Sequence, residues 1–195
     1  MRTMSIGGGI GAQYRVGKAP PPVSYFAEEI TDKIKSLCKQ LKLNPPRLIV
    51  EPGRKIVARA GISLYTVGVI KEIPGIRTYA SVDGGISDNI RYAMYGDWAL
   101  QEALLANRAA EANTREYRIT GKLCESGDIL IPEVKLPELK PGDILAMAGS
   151  GAYAIPMQSN YNSMLRPAIV FVADGNARLV RRRETLKDLL SRDLD

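Results

Sequence analysis

The sequence of 195 residues contains no histidine, and this absence removes several kinds of chemistry. A Ser-His-Asp or Cys-His hydrolase needs an imidazole base, so neither can be built from this chain. Zinc sites of the histidine or Cys-x-x-Cys kinds are excluded as well, because the two cysteines, Cys38 and Cys124, are far apart in the sequence. We therefore predict no metal site, and acid–base catalysis would depend on Cys, Tyr, Lys, Asp or Glu.

Apolar runs of membrane-spanning length are also missing, and the first residues lead into glycines without the hydrophobic region of a signal peptide. Two cysteines in dissimilar surroundings do not form a disulfide framework. These observations predict a cytoplasmic protein that does not bind membranes. The net charge of +6 comes mostly from interleaved acids and bases. Arg181-Arg182-Arg183 is the exception, and the Glu184 that follows favours a solvated strand end over a nucleic-acid surface.

The stretch Cys124-Glu125-Ser126-Gly127-Asp128 combines a thiol, two carboxylates, a hydroxyl and a flexible glycine between two strand-like runs. Cys38, in contrast, lies inside a helical repeat, where a free cysteine usually serves as a small core side chain. Cys124 is surrounded by polar residues, where a thiol is better placed for chemistry. A Ser-Gly-Asp turn that happens to contain a cysteine is the alternative interpretation.

Residues 1–60 have the pattern of one βα step of a parallel sheet or barrel. The glycine loop, Gly7-Gly8-Gly9-Ile10-Gly11, has N–H groups that could hold a phosphate, and a merely flexible start is the alternative. A short strand at residues 47–50 leads to Glu51-Pro52-Gly53-Arg54, and charged strand ends are where α/β proteins place their chemistry. Between them, apolar spacings of three and four predict a helix that ends near Asn44, with Val23, Phe26, Ile30, Ile34, Leu37 and Leu41 on one face.

After Gly61 the pattern changes to short β-rich runs separated by turn signals. Asp174-Gly175-Asn176 predicts a hairpin to residues 177–180, and helical stretches are predicted at 98–112, after Gly151 and at 184–194. Residues 61–195 are therefore predicted to form a mostly antiparallel β domain with short helices, and the fold class is α/β plus β. The other predicted strands cover residues 64–70, 78–82, 117–123, 129–134, 143–148 and 168–173.

Eight motifs occur in an order that resembles the diaminopimelate decarboxylases, which are pyridoxal-phosphate enzymes with the alanine-racemase type of fold. The resemblance covers essentially the whole chain. It implies the carboxyl-terminal half of the family's fold, which is the last βα steps of a (β/α) barrel and a C-terminal β domain. The related ornithine and arginine decarboxylases share some of the motifs, so a sibling decarboxylase is an alternative. The motifs are Gly7-Gly8-Gly9-Ile10-Gly11, Glu51-Pro52-Gly53-Arg54, Val82-Asp83-Gly84-Gly85, Cys124-Glu125-Ser126-Gly127-Asp128, Gly151-Ala152-Tyr153, Ser159-Asn160-Tyr161-Asn162, Arg166-Pro167-Ala168 and Arg182-Arg183-Glu184-Thr185.

This resemblance implies a lyase of lysine biosynthesis that converts meso-2,6-diaminopimelate to L-lysine and CO2. Its cofactor would be pyridoxal 5'-phosphate, with the phosphate near the glycines and Glu51 at the ring nitrogen. Tyr153 would touch both cofactor and substrate. The implied cofactor-binding residues are Gly9, Glu51, Pro52, Gly53, Arg54 and Tyr153.

The resemblance also implies substrate contacts. Arg54 and Arg91 would hold substrate carboxylates, since a guanidinium binds a carboxylate through two hydrogen bonds, and Tyr95 would add a hydroxyl contact. Glu125 would bind the distal ammonium group. Cys124 would donate a proton at the carbon that has lost CO2. In the family the Cys-Glu segment reaches into the partner subunit's site, which implies a homodimer with shared active sites.

Simpler alternatives exist for several of these residues. Arg91 and Tyr95 are four residues apart and, on a helix, could form an ordinary surface pair. Tyr153 could be a buried aromatic residue with a satisfied hydroxyl. Asp83-Gly84-Gly85 could be a simple turn.

The family's cofactor lysine has no counterpart in this sequence, since Lys18 and Lys55 only flank the site motifs. A full (β/α) barrel takes about 250 residues, which is more than the chain provides. We favour one half of a split or truncated decarboxylase, inactive alone and completed by a separate lysine-bearing amino-terminal half. The alternatives are a non-catalytic relative that serves as a dimer partner or binding module, and a piece of a larger protein.

Overall fold

The computed structural model describes residues 2–194. Its α-helices are α1 (Val23–Gln40), α2 (Gly53–Val57), α3 (Arg91–Tyr95) and α4 (Leu186–Leu189). Its strands are β1 (Thr3–Ser5), β2 (Arg47–Ile49), β3 (Ile62–Ile73), β4 (Arg77–Val82), β5 (Ala103–Leu105), β6 (Arg115–Thr120), β7 (Ile129–Leu136), β8 (Ile144–Ala148), β9 (Ile169–Ala173) and β10 (Asn176–Arg181). Short 3-10 helices occupy Ala58–Ala60, Gly96–Ala99, Ala106–Arg108, Ile155–Met157 and Tyr161–Ser163.

The amino-terminal unit consists of two parallel strands joined by a helix. Strand β1, which the sequence analysis missed, pairs in parallel with β2, with Met4 opposite Leu48. Helix α1 begins directly after three prolines, since proline has no N–H to contribute to a helix interior. It ends at Gln40, somewhat earlier than the predicted end near Asn44. The parallel pairing agrees with the predicted βα pattern.

A mixed, nearly closed sheet of six strands forms the main part of the chain, with the strand order β5-β8-β3-β4-β6-β7. All neighbouring pairs are antiparallel except β4 and β6. The two edge strands, β5 and β7, approach each other, so the sheet almost closes on itself. The prediction of a mostly antiparallel β domain is confirmed in this form.

The core lies inside this sheet. Residues on β4 and β6 alternate between buried and partly exposed positions, which is the period of two expected for a strand with one covered face. Tyr117 is buried, but its hydroxyl oxygen accepts a hydrogen bond from the Leu139 N–H at 3.0 Å, so no polar group is left unsatisfied there. The core side chains are Tyr65, Val67, Ala80, Val82, Leu105, Tyr117, Ile119, Leu130, Ile131, Leu136, Leu139, Leu145 and Met147.

The helix predicted at 98–112 is wrong. Alanine and leucine in this stretch favour a helix, but the segment contains β5, which pairs with β8 and places Leu105 opposite Leu145. Burial of Leu105 in the core outweighs its local helix preference. The segment after Gly151 forms turns and short 3-10 helices. The predicted carboxyl-terminal helix shrinks to α4, where Thr185 and Asp188 form a capping box.

The hairpin predicted around Asp174-Gly175-Asn176 is confirmed, since β9 and β10 pair antiparallel across it. Asp174 and Gly175 both have positive φ, at 51° and 73°, as the tight turn of a two-residue hairpin requires. This hairpin is separate from the six-stranded sheet. None of residues 2–57 or 155–194 is buried, so Cys38 on α1 is only half-buried and not a core side chain.

Candidate active site

The glycine loop lies directly on the segment that follows β2. The Ile6 N–H donates to the Ile49 carbonyl at 3.0 Å, and the Glu51 N–H donates to the Gly7 carbonyl at 2.8 Å. A Cβ atom at Gly8 would come within 2.5 Å of the Glu51 carbonyl oxygen, so only glycine permits this approach. Because β1 and β2 are parallel, both segments leave the strand pair at the same edge.

The backbone of this loop has the form of an anion site. Gly7 and Gly9 have φ of 67° and 85°, in the left-handed region that glycine adopts readily. The N–H groups of residues 8–11 donate to no protein atom in the described part of the chain. Free backbone N–H groups in a glycine-rich loop can bind a phosphate.

Glu51 lies next to the glycine loop, and one of its two carboxylate oxygens accepts a hydrogen bond. Its Oε1 accepts a hydrogen bond from the Ser5 hydroxyl at 2.7 Å, while Oε2 has no hydrogen-bond partner among residues 2–194. A free carboxylate oxygen is what a protonated pyridine nitrogen would need. The glycine loop and Glu51 together therefore fit pyridoxal phosphate.

Helix α2 carries the rest of the Glu-Pro-Gly-Arg motif. It begins at Gly53, immediately after Glu51 and Pro52. Arg54 lies in its first turn and is half-buried, so the structure keeps the carboxylate and the guanidinium within one helical turn. The binding roles of Pro52, Gly53 and Arg54 stay predictions.

Tyr153 is brought to the same region by a close backbone contact. The Gly151 N–H donates to the Ala58 carbonyl at 3.0 Å, just after α2. A Cβ atom at Gly151 would lie 1.8 Å from the Val57 carbonyl oxygen, so no other residue fits. Tyr153 itself has φ of 60°, a costly conformation for a bulky residue, and is 46% exposed. The alternative that Tyr153 is a buried core aromatic is wrong.

Arg91 and Tyr95 lie on helix α3, but they are not a surface pair. Arg91 is only 3% exposed. Its Nη1 donates to the Ala152 carbonyl at 3.1 Å, and its guanidinium lies 4.4 Å from the centre of the Tyr14 ring. The hydroxyl of Tyr95, one turn later, lies 3.9 Å from the Met157 sulfur. Both side chains therefore face the segment that carries Tyr153.

Asp128, the last residue of the Cys-Glu-Ser-Gly-Asp motif, is a buried anchor. Its Oδ1 accepts the Ile86 N–H at 2.7 Å, and its Oδ2 accepts the Leu123 N–H at 2.8 Å. A Cβ atom at Gly85 or Gly121 would come within 3 Å of its carboxylate oxygens. The carboxylate thus ties the Asp-Gly-Gly segment to the Cys-Glu segment, a structural role that sequence analysis did not identify.

The Asp-Gly-Gly segment is a packing site rather than a simple turn. A Cβ atom at Gly84 would lie 2.3 Å from the Tyr65 ring. Asp88 accepts hydrogen bonds from the Tyr65 hydroxyl at 2.6 Å and the Gly85 N–H at 2.8 Å. Burial raises the pKa of Asp88 above its ordinary value, and burial also raises the pKa of Tyr65. The segment must therefore be glycine-rich to let Asp88 and Asp128 approach it.

Cys124 and Glu125 occupy the exposed tip of the same motif. The Asn162 amide Nδ2 lies 3.7 Å from the Cys124 sulfur, and the Tyr161 hydroxyl donates to Glu125 Oε2 at 3.2 Å. The Gly127 N–H donates to Glu125 Oε1 at 3.3 Å. The hydrogen bonds from the Gly127 N–H, which has the largest effect, and from the Tyr161 hydroxyl hold the pKa of Glu125 below its ordinary value. The carboxylate is therefore in the charged form that binds a cation.

The structure thus divides the predicted site residues into two groups. One group lies in the segments that follow β1, β2, β4 and β8, and the other lies at the tip of the Cys-Glu loop. Among residues 2–194, no hydrogen bond joins the second group to the first. The first group contains Gly9, Glu51, Pro52, Gly53, Arg54, Arg91, Tyr95 and Tyr153, and the second contains Cys124 and Glu125.

Other features of the described residues do not compete with these two groups. A groove of about 1060 Å³ lies elsewhere, along Arg15, Arg77, Glu116 and Lys135, and none of the predicted site residues lines it. Within residues 2–194, no cluster of three or more Cys, Asp or Glu side chains is arranged to hold a metal ion. No helix in that range combines the length and the apolar character needed to cross a membrane.

A parallel βαβ unit with a glycine loop, joined to a nearly closed sheet, defines the architecture of this protein. The chain matches the family model of the pyridoxal-dependent decarboxylase C-terminal sheet domain over residues 25–151. The chain therefore belongs to the pyridoxal-dependent decarboxylases, and the resemblance predicted from its motifs is confirmed.

Individual relatives indicate which decarboxylases the chain resembles. The chain is similar to diaminopimelate decarboxylase of Bacillus subtilis (strain 168), with 45% identity over 193 residues, which are 99% of this chain and 44% of that protein. The crystal structure of diaminopimelate decarboxylase from M. jannaschii in co-complex with L-lysine has a TM-score of 0.87 and 34% identity, covering 100% of this chain and 43% of that chain. Lysine/ornithine decarboxylase from Vibrio vulnificus, complexed with putrescine, has a TM-score of 0.67 and 26% identity, covering 83% and 41%. The chain spans less than half the length of these relatives.

Proposed function

We propose that this chain forms the carboxyl-terminal part of a diaminopimelate decarboxylase, which releases CO2 from meso-2,6-diaminopimelate and yields L-lysine. The observation that carries the proposal is the 45% identity over 193 residues with an enzyme of that name. The weaker likeness to a lysine/ornithine decarboxylase makes ornithine or a related amino acid the second candidate substrate.

The two parts of the chain would belong to different domains of the whole enzyme. Residues 1–60 would be the last steps of a (β/α) barrel, which the parallel pairing of β1 and β2 across α1 supports. Residues 61–195 would be the C-terminal β domain, whose first strand, β3, begins at Ile62. The barrel would supply strands that cover the β1–β2 pair, since two strands alone leave both edges open.

The glycine loop and Glu51 would hold the cofactor. Bound pyridoxal phosphate supplies an electron sink, which makes loss of CO2 from the α-carbon of an amino acid possible. The free N–H groups of residues 8–11 would bind its phosphate. Glu51 would keep the ring nitrogen protonated through its free Oε2, and Tyr153 would lie beside the ring.

Arginines would hold the carboxylates of the substrate. Arg91 has an Nε that is buried and without a hydrogen-bond partner among the described residues, and an acceptor from outside the described chain would satisfy this N–H. Arg54 and the Tyr95 hydroxyl would complete the contacts with the carboxylates. Glu125 would bind the distal ammonium, which requires an ionised carboxylate, and the lowered pKa of Glu125 supports this role.

Cys124 would donate the proton that replaces CO2 on the α-carbon. A thiol suits this step because its pKa lies near neutrality and responds to its surroundings. Cys124 is free and exposed, so the thiol can be reprotonated from solvent after each turnover.

A homodimer would unite the two groups of site residues. Cys124 and Glu125 lie on an exposed loop without hydrogen bonds to the first group in residues 2–194. A partner subunit could place this loop over its neighbour's cofactor, so that each active site draws residues from two chains.

The proposal is tested by release of labelled CO2 from meso-diaminopimelate in the presence of pyridoxal phosphate. We would assay the 195-residue chain alone and co-expressed with the lysine-bearing amino-terminal half of a diaminopimelate decarboxylase. Activity only in the mixture is the expected result. Activity of the chain alone would contradict the assignment of the cofactor lysine to the other half.

Two controls sharpen this experiment. Cys124→Ala in the mixture should abolish most of the formation of L-lysine while cofactor binding stays unchanged, because the thiol acts after CO2 has left. Faster turnover of ornithine or arginine than of diaminopimelate would favour a sibling decarboxylase. A soluble, folded mixture that turns over none of them would favour a non-catalytic relative.

A further inference from the structure

Tyr161 and Asn162 on one loop contact Glu125 and Cys124 on another loop. Tyr161 donates its hydroxyl hydrogen to Glu125 Oε2 at 3.2 Å, and the Asn162 Nδ2 lies 3.7 Å from the Cys124 sulfur. These partners are separated by 36 and 38 residues in the sequence, so the contacts are tertiary. The loop of residues 159–166, here called the clamp loop, therefore contacts both side chains at the tip of the Cys-Glu loop.

The backbone of the clamp loop is held in an unfavourable conformation at this point. Asn162 and Ser163 have φ of 53° and 58°, in the left-handed region. Asparagine tolerates this region, but two consecutive residues without glycine rarely adopt it. Such a conformation persists only where surrounding contacts fix it, and it is often associated with function.

Fixing contacts are present at both ends of the clamp loop. At its start, the Ser159 N–H donates to the Ser87 carbonyl at 2.8 Å. At its end, Glu184 Oε2 accepts hydrogen bonds from the Arg166 N–H at 2.9 Å and from the Asn160 Nδ2 at 2.7 Å. The Arg166 Nη1 also lies 3.2 Å from Glu184 Oε1. The loop is thus closed by Glu184 and attached to the sheet domain.

We propose that Tyr161 and Asn162 are positioning residues, which hold the Glu125 carboxylate and the Cys124 thiol in the orientations that the substrate requires. This inference rests on the proposed decarboxylase function. Tyr161 would act on substrate affinity, because Glu125 is the group assigned to the distal ammonium. Asn162 would act on proton transfer, because Cys124 is the assigned proton donor.

The chemistry of the two contacts supports these separate effects. An amide N–H directed at sulfur favours the thiolate over the thiol, since hydrogen bonds to a charged acceptor are stronger. A phenol hydroxyl donated to a carboxylate likewise favours the ionised form. The titratable groups that face the Cys124 thiol are Glu125 on its own loop and Tyr161 on the clamp loop. The Asn162 contact should therefore affect the reactivity of the Cys124 thiol, and the Tyr161 contact should affect the titration of Glu125.

The role of Asn162 is tested by alkylation of Cys124 with iodoacetamide, which needs no turnover. In the 195-residue chain with Cys38→Ser, we would compare the rate as a function of pH with and without Asn162→Gly. Glycine accepts the left-handed backbone, so this change removes the amide and keeps the loop conformation. We expect alkylation at neutral pH to be about three- to tenfold slower, because the sulfur loses the hydrogen bond that it accepts from the Asn162 amide.

Asn113→Gly, on the exposed loop before β6, is the matched control and should leave the profile unchanged. An Asn162→Gly profile that coincides with that of the Cys38→Ser parent would overturn the role of Asn162. If Asn162→Gly slows alkylation as expected but the assembled protein releases no CO2, the role of Asn162 at the Cys124 thiol is supported and the proposed function is wrong.

The role of Tyr161 is tested by Tyr161→Phe, which removes one oxygen atom. In the 195-residue chain, a carboxyl NMR titration should show a raised pKa for Glu125. In the assembled enzyme, KM for diaminopimelate should rise about tenfold with kcat within about twofold. Tyr25→Phe on the exposed face of α1 is the matched control. An unchanged Glu125 titration, or equal losses in kcat and affinity, would overturn the role of Tyr161.

Discussion

Leu145 on β8 and Ile34 on α1 both belong to regular apolar patterns, yet they are buried to very different degrees. Leu145 is fully buried in the core of the six-stranded sheet. Ile34 is half-buried, and α1 as a whole has no buried residue. The β9–β10 hairpin is similar to α1, since Phe171 and Val172 on β9 are 59% and 74% exposed.

This difference shows that the sheet domain has its own core whereas the flanking units do not. An amphipathic helix is stabilised mainly by packing of its apolar face, and a lone two-stranded hairpin is marginal in water. In the proposed enzyme, the amino-terminal half and the second subunit would cover these faces. The comparison therefore predicts which substitutions matter in the chain alone and which matter only after assembly.

The largest loss of stability should follow Leu145→Ala. This change removes methyl and methylene groups from a fully buried position, and such substitutions cost about 2–5 kcal/mol. Urea denaturation followed by circular dichroism would measure it. Leu43→Ala, at a position that is 59% exposed, is the control and should change the free energy of unfolding by less than about 0.5 kcal/mol. Equal losses for the two variants would show that the sheet has no separate core.

A smaller but still large effect is expected for Asp128→Ala. The change leaves the partly buried N–H groups of Ile86 and Leu123 without their acceptor, which costs about 1–3 kcal/mol for each group. We expect a total loss of about 3 kcal/mol, measured by the same denaturation experiment. Asp32→Ala on the exposed surface of α1 should have almost no effect. A neutral Asp128→Ala would mean that the Cys-Glu loop is held by other contacts.

The same comparison explains how far the sequence predicted the structure. Strands β3, β4, β7 and β8 are β-rich runs bounded by turn signals, and their predicted ranges lie close to the observed ones. Strand β5 was predicted as a helix because its three residues have a helical composition, and only the pairing with β8 determines their conformation. Local patterns thus predict strands whose own residues favour the β conformation. They fail for β5, whose conformation depends on its pairing with a distant strand.

Only some residues of the candidate site could likewise be predicted from local sequence. Residue types that carry chemistry indicate the motifs around Glu51 and Cys124, whereas only the resemblance to the family indicates Tyr153. Asp128 and Tyr161 were within predicted motifs, but their roles depend on contacts with Ile86 and Glu125, which are 42 and 36 residues away. No spacing rule relates such distant positions.

Acid should weaken one contact of the sheet domain in a defined pH range. Asp143 accepts hydrogen bonds from Arg108 and Asn107, and the Arg108 guanidinium is the main reason that the pKa of Asp143 is lowered to about 2. An unfolded aspartate has a pKa of about 4. The folded state therefore binds the proton less well, so this stabilisation is present above about pH 4 and is lost as the pH falls toward about 2.

Asp143→Asn should remove that pH-dependent stabilisation. We expect it to lower the free energy of unfolding by about 1–2 kcal/mol at neutral pH, since Arg108 is partly exposed and solvent screens the pair. Near pH 2 the variant and the parent should have the same stability. Denaturation at several pH values would measure this difference, and a constant difference at all pH values would contradict the assignment to the Asp143 carboxylate.

The smallest effect in the chain alone should come from Ile34→Ala on α1. Because Ile34 packs against no core, we expect a loss of less than about 1 kcal/mol in the 195-residue chain. Once the amino-terminal half covers α1, the same substitution should cost about 2–4 kcal/mol, because it then leaves a cavity. Lys35→Ala, beside it on the exposed face, should have no effect in either state. If Ile34→Ala lowers the free energy of unfolding equally with and without the amino-terminal half, the apolar face of α1 stays uncovered in the assembled protein. In that case α1 would not be part of the proposed barrel.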